Sequence, residues 1–221
     1  MRPPGCRCDY DAFFGDWIVR REVEAYRRHG ARGETRRLID ALIDGLRAEG
    51  VPDASVLDIG GGMGAIGLEL MAAGATTVEL VEASGPYLEA ARQEAERRGS
   101  RDRLRGHHGD FVALAGDIEP ADVVTLDKVV CCYPDWSGLV ESSVAHARRL
   151  YGLVYPIQRW WIRLAWPILN GILGLFRQPI RVYLHPQREI DARIRSAGFE
   201  PRSWHRGLVW QTVVYRRVTA Q

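Results

Sequence analysis

Lysine is almost missing from this chain: of 30 basic residues only Lys128 is a lysine. Charged faces are ordinarily solvated, so the arginine excess is read as coding preference, not as an arginine-specific ligand. A bulk charge of one sign is absent too. The basic residues face 28 acidic ones and leave a net charge of +2, so nothing global calls for nucleic acid. No apolar run reaches the ~18 residues that cross a bilayer. The opening Met1-Arg2-Pro3-Pro4 leads into no apolar signal segment. Cysteine is scarce: Cys6, Cys8, Cys131 and Cys132 are all there are, and neither pair has the C-x-x-C spacing of common zinc sites. The expectation is reduced thiols, no metal and a cytoplasmic protein. Internal repeats and low-complexity segments are also lacking.

What is present is a core. With 221 residues and 46% hydrophobic content, the chain suits one globular domain. Asp16 is placed to cap a helix running to Gly30. A second helix over Glu34–Glu49 sets Leu38, Leu42 and Leu46 at i, i+4 and i+8, with Gly50 as its stop. The middle then alternates. Val56–Ile59, Thr77–Glu82, Leu104–His108, Val123–Val130 and Leu150–Tyr155 read as strands; Ala65–Ala73, Tyr87–Arg98 and Leu139–Arg149 read as helices. This rhythm predicts a mostly parallel sheet covered by helices on both faces, with ligands beyond the carboxyl ends of its strands. Residues 156–185 break the rhythm. A helix over Pro186–Ala197 follows, and the runs Glu200–His205 and Leu208–Arg217 close the chain as a β-hairpin.

The stretch Ser55-Val56-Leu57-Asp58-Ile59-Gly60-Gly61-Gly62-Met63-Gly64 carries the chemistry. Glycines let the backbone turn sharply and let a ligand come close, and the following helix offers free N–H groups. Two cofactors compete for it. Gly62-Met63-Gly64-Ala65-Ile66-Gly67 satisfies the dinucleotide pattern, and Glu82 stands about 20 residues on, where it would bind a ribose. An NAD(P)-dependent oxidoreductase is therefore one reading. Asp58 opposes it: a carboxylate ~5 Å from a pyrophosphate charge costs ~3 kcal/mol at an effective dielectric of ~20. A ligand with a sulfonium and an ammonium reverses that sign.

Here the chain resembles the class I S-adenosylmethionine-dependent methyltransferases. Their first motif, apolar-apolar-Asp-apolar-Gly-x-Gly-x-Gly, is matched by Val56 to Gly64. The resemblance covers roughly residues 50–155 and 186–217. It implies a seven-stranded, Rossmann-like α/β sheet with a terminal antiparallel hairpin, and a domain laid out in four parts. These are an N-terminal helical arm (1–50), a cofactor-binding core (51–155), a helical lid insert (156–185) and the last helix with the hairpin (186–221). It implies that Asp58, Gly60, Gly62 and Gly64 hold the amino-acid part of S-adenosylmethionine and that Glu82 takes both ribose hydroxyls. Asp110 and Phe111 would hold the adenine, and Asp127 would lie beside the methyl donor.

The fourth motif, Thr125-Leu126-Asp127-Lys128-Val129-Val130-Cys131-Cys132-Tyr133-Pro134-Asp135, and the later Val182-Tyr183-Leu184-His185-Pro186 are similar to magnesium-protoporphyrin IX O-methyltransferase. That family carries His immediately before Tyr-Pro. This chain has Cys132 there, and one residue more between Asp127 and Tyr133, so the histidine's role does not carry over. Methyl transfer is an in-line displacement that needs the nucleophile held at near-attack distance. An ionised acceptor needs no base, whereas a hydroxyl does. The candidates are Asp127, Tyr133 and His185, with His107 or His108 behind them.

Within the insert, Ile157, Trp161, Leu164, Ile168, Ile172 and Leu175 keep a 3–4 spacing, and Pro167 is expected to divide two helices. Three roles stand open for residues 157–178: a lid over the acceptor, a peripheral membrane contact through Trp and Arg, or an amphipathic pair packed on the sheet. The expectation is S-adenosylmethionine-dependent transfer to a small apolar acceptor, oxygen slightly favoured. A non-catalytic S-adenosylmethionine-binding protein is a further alternative.

Overall fold

The computed structural model describes residues 10–218. Cys6 and Cys8 lie outside them. The described chain opens with α1 (Tyr10–Phe13), α2 (Asp16–His29) and α3 (Gly33–Glu49), then alternates: β1 (Ser55–Ile59), α4 (Ala65–Ala72), β2 (Thr77–Glu82), α5 (Gly85–Arg97), β3 (Leu104–His108), α6 (Phe111–Leu114), β4 (Ala121–Asp127), α7 (Trp136–Ala145) and β5 (Ala147–Pro156). It closes with α8 (Trp160–Leu175), α9 (Gln187–Ser196), β6 (Phe199–Arg206) and β7 (Trp210–Arg217). The seven strands form one sheet in the order β3-β2-β1-β4-β5-β7-β6. β1 to β5 pair in parallel, and β7 runs antiparallel between β5 and β6.

Alternation along each strand divides the core in two. Val56, Val78, Val123, Val154 and Val214 face α2 to α5, while Leu57, Val81, Val124, Leu153 and Val213 face α6, α7 and α9. The arm is part of this packing. Leu38, Ile39 and Leu42 of α3 are fully buried. Leu38 needs the bare Gly152 of β5, where a Cβ would stand 2.8 Å from Leu38 Cδ1. Gly50 ends α3 in the left-handed region at φ +65.

Several boundaries differ from the sequence reading. Asp16 lies in the first turn of α2, and Gly15 takes the cap position. β4 stops at Asp127 instead of Val130, because Lys128 adopts φ +61 and Val130–Cys132 form a 3-10 turn. α7 starts at Trp136, since the Asp135 carboxylate caps it by accepting from Gly138 N at 3.1 Å. β5 accordingly begins at Ala147, and Arg148 and Arg149 belong to that strand.

The expected pair of helices around Pro167 is corrected: α8 runs unbroken through it. Proline leaves the carbonyl four residues back without its N–H partner, and here that residue is the exposed Arg163, whose carbonyl water can satisfy. α8 holds to the body through few groups. Ile162 is buried, Trp166 Nε1 donates to Tyr183 O (3.1 Å), and Asn170 exchanges two hydrogen bonds with the Val182 backbone (2.7 and 3.0 Å). Among the described residues no helix is long and apolar enough to cross a membrane.

Candidate active site

A cleft of about 570 Å³ opens beyond the carboxyl ends of β1, β2 and β4, where the strand order reverses between β1 and β4. That is the expected ligand position in a doubly wound sheet, and the size suits a small ligand. Its wall includes Gly60 to Met63, Glu82, Asp110, Phe111, Asp127 and Tyr133, and the helical arm closes it with Gly30, Ala31, Arg32 and Thr35.

The turn after β1 is left-handed at Gly60, Gly62 and Gly64, with φ of +61, +57 and +77. Such a conformation costs other residues ~1–2 kcal/mol each. Gly60 N donates to Val81 O at 2.7 Å, and a Cβ on Gly60 would come within 2.6 Å of Val129 Cγ2. Gly64 caps α4, whose first residues Ala65 and Ile66 reach the cleft.

Asp58 is not on the cleft wall. It lies under the loop, fully buried, and a Cβ on Gly61 would meet its Oδ2 at 2.3 Å. Thr125 Oγ1 donates to Asp58 Oδ1 at 2.7 Å, whereas Oδ2 is buried without a hydrogen-bond partner. Burial, opposed by that hydroxyl and reinforced by the charge of Asp127, pushes the Asp58 carboxyl up to about 7. The sequence reading set Asp58 against the ligand; the structure sets a layer of glycine backbone between Asp58 and the cleft.

Glu82 ends β2 at the rim, buried, its Oε2 accepting from Gly62 N and its Oε1 from Ser84 N, both at 2.8 Å. Burial raises this carboxyl, and the two N–H groups pull it back. Asp110 caps α6 through Val112 N (3.0 Å) and accepts the Tyr133 hydroxyl on both oxygens, at 2.9 and 3.0 Å. Phe111 is buried beside it. Asp127, last residue of β4, accepts from Thr35 Oγ1 at 2.5 Å. Lys128 Nζ donates to Thr35 Oγ1 at 3.1 Å and lies 3.4 Å from Asp127 Oδ1.

His185 stands apart from these. Its Nε2 donates to Tyr133 O at 2.9 Å, and its ring stacks on Tyr183 at 5.5 Å; it does not line the cleft. Burial lowers its pKa from the ordinary 6.5. It therefore supports the Tyr133 backbone as a neutral ring, outside the residues that line the cleft. His107 and His108 sit on β3, held by Glu79 (2.5 Å) and Ala83 O (3.1 Å). Sequence reasoning missed Thr35 and Lys128 as cleft residues; both line it, as does Cys132 at the position of the family's histidine. The single lysine directly after the last residue of a parallel strand was the available signal for Lys128. Cys131 is buried, its Sγ 3.6 Å from that of Cys132. Among the described residues no three His, Cys, Asp or Glu side chains converge as a metal-holding group.

Residues 56–149 match a family model described as a methyltransferase domain. No curated protein matches the sequence. The fold is that of a magnesium protoporphyrin IX methyltransferase from Synechocystis PCC 6803 with bound SAH, at TM-score 0.68 and 21% identity over 95% of this chain and 100% of that one. An O-methyltransferase family protein from Burkholderia thailandensis superposes at TM-score 0.70 and 16% identity, over 97% of this chain and 64% of the other. An O-methyltransferase family 2 protein from Planctomyces limnophilus, in complex with apigenin, does so at 0.63 and 17%, over 92% and 62%.

Proposed function

We propose that this chain is a class I methyltransferase that takes S-adenosylmethionine as its methyl donor and methylates a small apolar acceptor at oxygen, a reading supported by the methyltransferase-domain match over residues 56–149 and by the shared fold. The observation that carries this reading is the convergence of the glycine turn, Glu82, Asp110, Phe111 and Asp127 on one cleft.

Those residues fit the donor. Gly60 leaves open a gap that a Cβ would close against Val129, and Glu82 brings two acceptor oxygens to one rim. When bound, S-adenosylmethionine supplies an electrophilic methyl group on a positively charged sulfur. Gly60 and Gly62 admit its amino-acid end against bare backbone, and Asp58 acts on its positive charges through the loop. Glu82 accepts from the ribose hydroxyls with the lone pairs that the Gly62 and Ser84 N–H groups leave. Asp110, steadied by Tyr133, would accept from the adenine amine, and Phe111 would flank the ring. Asp127, held by Thr35 and Lys128, would face the methyl-bearing side of the donor.

The acceptor side is bounded by Val129, Leu139 and Ile180, which favours an apolar body. The Tyr133 hydroxyl is engaged by Asp110, and His185 lies behind the wall. An oxygen nucleophile that arrives already ionised, such as a carboxylate, suits a wall with that equipment. The chain then contributes alignment and exclusion of water more than proton removal. Two of the similar structures are named O-methyltransferases, which supports oxygen as the target.

The test is transfer of a labelled methyl group from S-adenosylmethionine into a fractionated metabolite extract. Label in an organic-soluble, alkali-labile product is expected. Tight binding of the donor with no transfer into any fraction would instead make the chain a binding protein.

A further inference from the structure

α8 wears its apolar stripe on the outside. At 100° per residue, Trp160, Leu164, Ile168, Ile172 and Leu175 fall within an arc of about 120°, and they are 70%, 63%, 65%, 48% and 79% exposed. The side that meets the body carries Ile162, Trp166 and Asn170, two of which are held by hydrogen bonds to backbone. A surface helix ordinarily turns the other way, with its apolar stripe inward and polar groups in water. Leu169 and Phe176, 38% and 68% exposed, widen the patch. An apolar patch of this kind marks an interaction surface.

Charge identifies what covers it. Between Glu141 and Glu189 the sequence has no acidic residue and seven arginines: Arg148, Arg149, Arg159, Arg163, Arg177, Arg181 and Arg188. That stretch carries +7 in a chain of net +2, so the remainder is at −5. Arg159 precedes α8 and Arg177 follows it, so cations stand at both ends of the apolar arc. The Arg159 guanidinium lies 5.0 Å from the Trp161 ring centroid, an amphipathic Arg–Trp pair of the kind found at headgroup level. A second copy laid face to face about a two-fold axis would set these arginines against themselves, with no acid in the stretch to neutralise them. A surface of lipid phosphates meets both features at once.

We propose that α8 is a peripheral membrane-docking helix that lies in the plane of an anionic bilayer. Trp160, Leu164, Ile168, Ile172 and Leu175 enter the boundary between headgroups and acyl chains, and Arg159, Arg163, Arg177 and Arg181 pair with lipid phosphates. The docking is separate from methyl transfer and does not depend on it.

Co-sedimentation of the full chain with large vesicles tests this. The vesicles are phosphatidylcholine alone or phosphatidylcholine with about 30% phosphatidylglycerol. Partitioning at least about tenfold stronger onto the anionic vesicles is expected, falling as salt rises from ~50 to ~500 mM. The combined variant Leu164→Ser, Ile168→Ser, Ile172→Ser should lose at least about tenfold on anionic vesicles. Arg163→Gln with Arg177→Gln should lose about fivefold per arginine. Those five side chains are exposed, so S-adenosylmethionine binding measured by calorimetry should stay within about twofold of wild type in both variants. Equal sedimentation with both vesicle types overturns the proposal, as does a serine variant that sediments like wild type. So does a dimer, seen by sedimentation equilibrium and abolished by the serine variant, in a protein that ignores vesicles.

Discussion

Replacing Asp58 with asparagine probes the electrostatics beneath the glycine turn. Asp58 is fully buried, and its carboxyl rises from the ordinary 3.8 to about 7, through burial first, against the Thr125 hydroxyl and with the Asp127 charge. A carboxyl raised by folding holds its proton more tightly in the native chain than in the unfolded one. Its stabilising contribution is complete below pH 3.8, drains away as pH climbs to about 7, and changes no further above that. At ~1.4 kcal/mol per pH unit, that interval is worth roughly 4 kcal/mol. The Asp58→Asn side chain keeps an acceptor for Thr125 Oγ1, which donates to Asp58 at 2.7 Å, and has no proton to lose. It places an amide N–H where Oδ2 has no partner, at a cost of ~1–3 kcal/mol. The variant should therefore be about 1–3 kcal/mol more stable than wild type near pH 8, and level with it or below near pH 5. It should also bind S-adenosylmethionine at least about tenfold more weakly, since the negative field under the loop is gone. Urea unfolding across that pH range, with calorimetry at neutral pH, measures both. Equal pH slopes for the two proteins would refute the argument, because the slope is the Asp58 proton itself.

The other site residues give sharper, smaller tests. Tyr133→Phe removes the donor to Asp110, a bond to a charged group worth ~1.5–3 kcal/mol. Donor affinity should fall about tenfold or more by calorimetry, with the fold intact by circular dichroism. Glu82→Gln leaves one amide N–H facing the backbone N–H of Gly62 or Ser84 and should weaken donor binding by at least ~2 kcal/mol. Gly60→Ala meets Val129 at 2.6 Å in a left-handed backbone. Strain and clash together predict a loss of ~2–4 kcal/mol in urea unfolding. His185, lowered by burial, binds its proton less readily folded than unfolded. Its contribution is complete above the ordinary pKa of ~6.5 and is lost as pH falls below it, a loss that His185→Gln should abolish in unfolding titrations.

The parallel core was legible because its signals are local. Thr77–Glu82 and Leu104–His108 are short β-rich runs between turn residues, and the strands span those residues. The glycine turn after β1 was legible for the same reason, since left-handed φ at three alternate positions calls for glycine. Contacts across the chain were not legible. Thr35 meets Asp127 from 92 residues away, and nothing near Thr35 marks it as a cleft residue. Asp58 stands two residues before Gly60 either way, but only the path of the loop shows that Gly61 lies between it and the cleft. His185 precedes Pro186 in a segment similar to the porphyrin methyltransferase family's, and only the fold shows that its side chain holds the Tyr133 backbone. Pro167 misled because its breaking power depends on whether the freed carbonyl reaches water, and on an exposed helix it does. The 3–4 spacing of α8 gave a helix correctly but not the direction of its apolar face, which is a property of what lies next to it.

The account rests on the cleft at the β1–β4 switch point being a methyl-donor site, and calorimetric titration with S-adenosylmethionine, S-adenosylhomocysteine and NADH tests that most directly. Both adenosyl ligands should bind with one site per chain in the micromolar range, and the Glu82→Gln variant should lose most of that heat. NADH should give none. Saturable NADH binding, with neither adenosyl ligand taken up, would contradict the account.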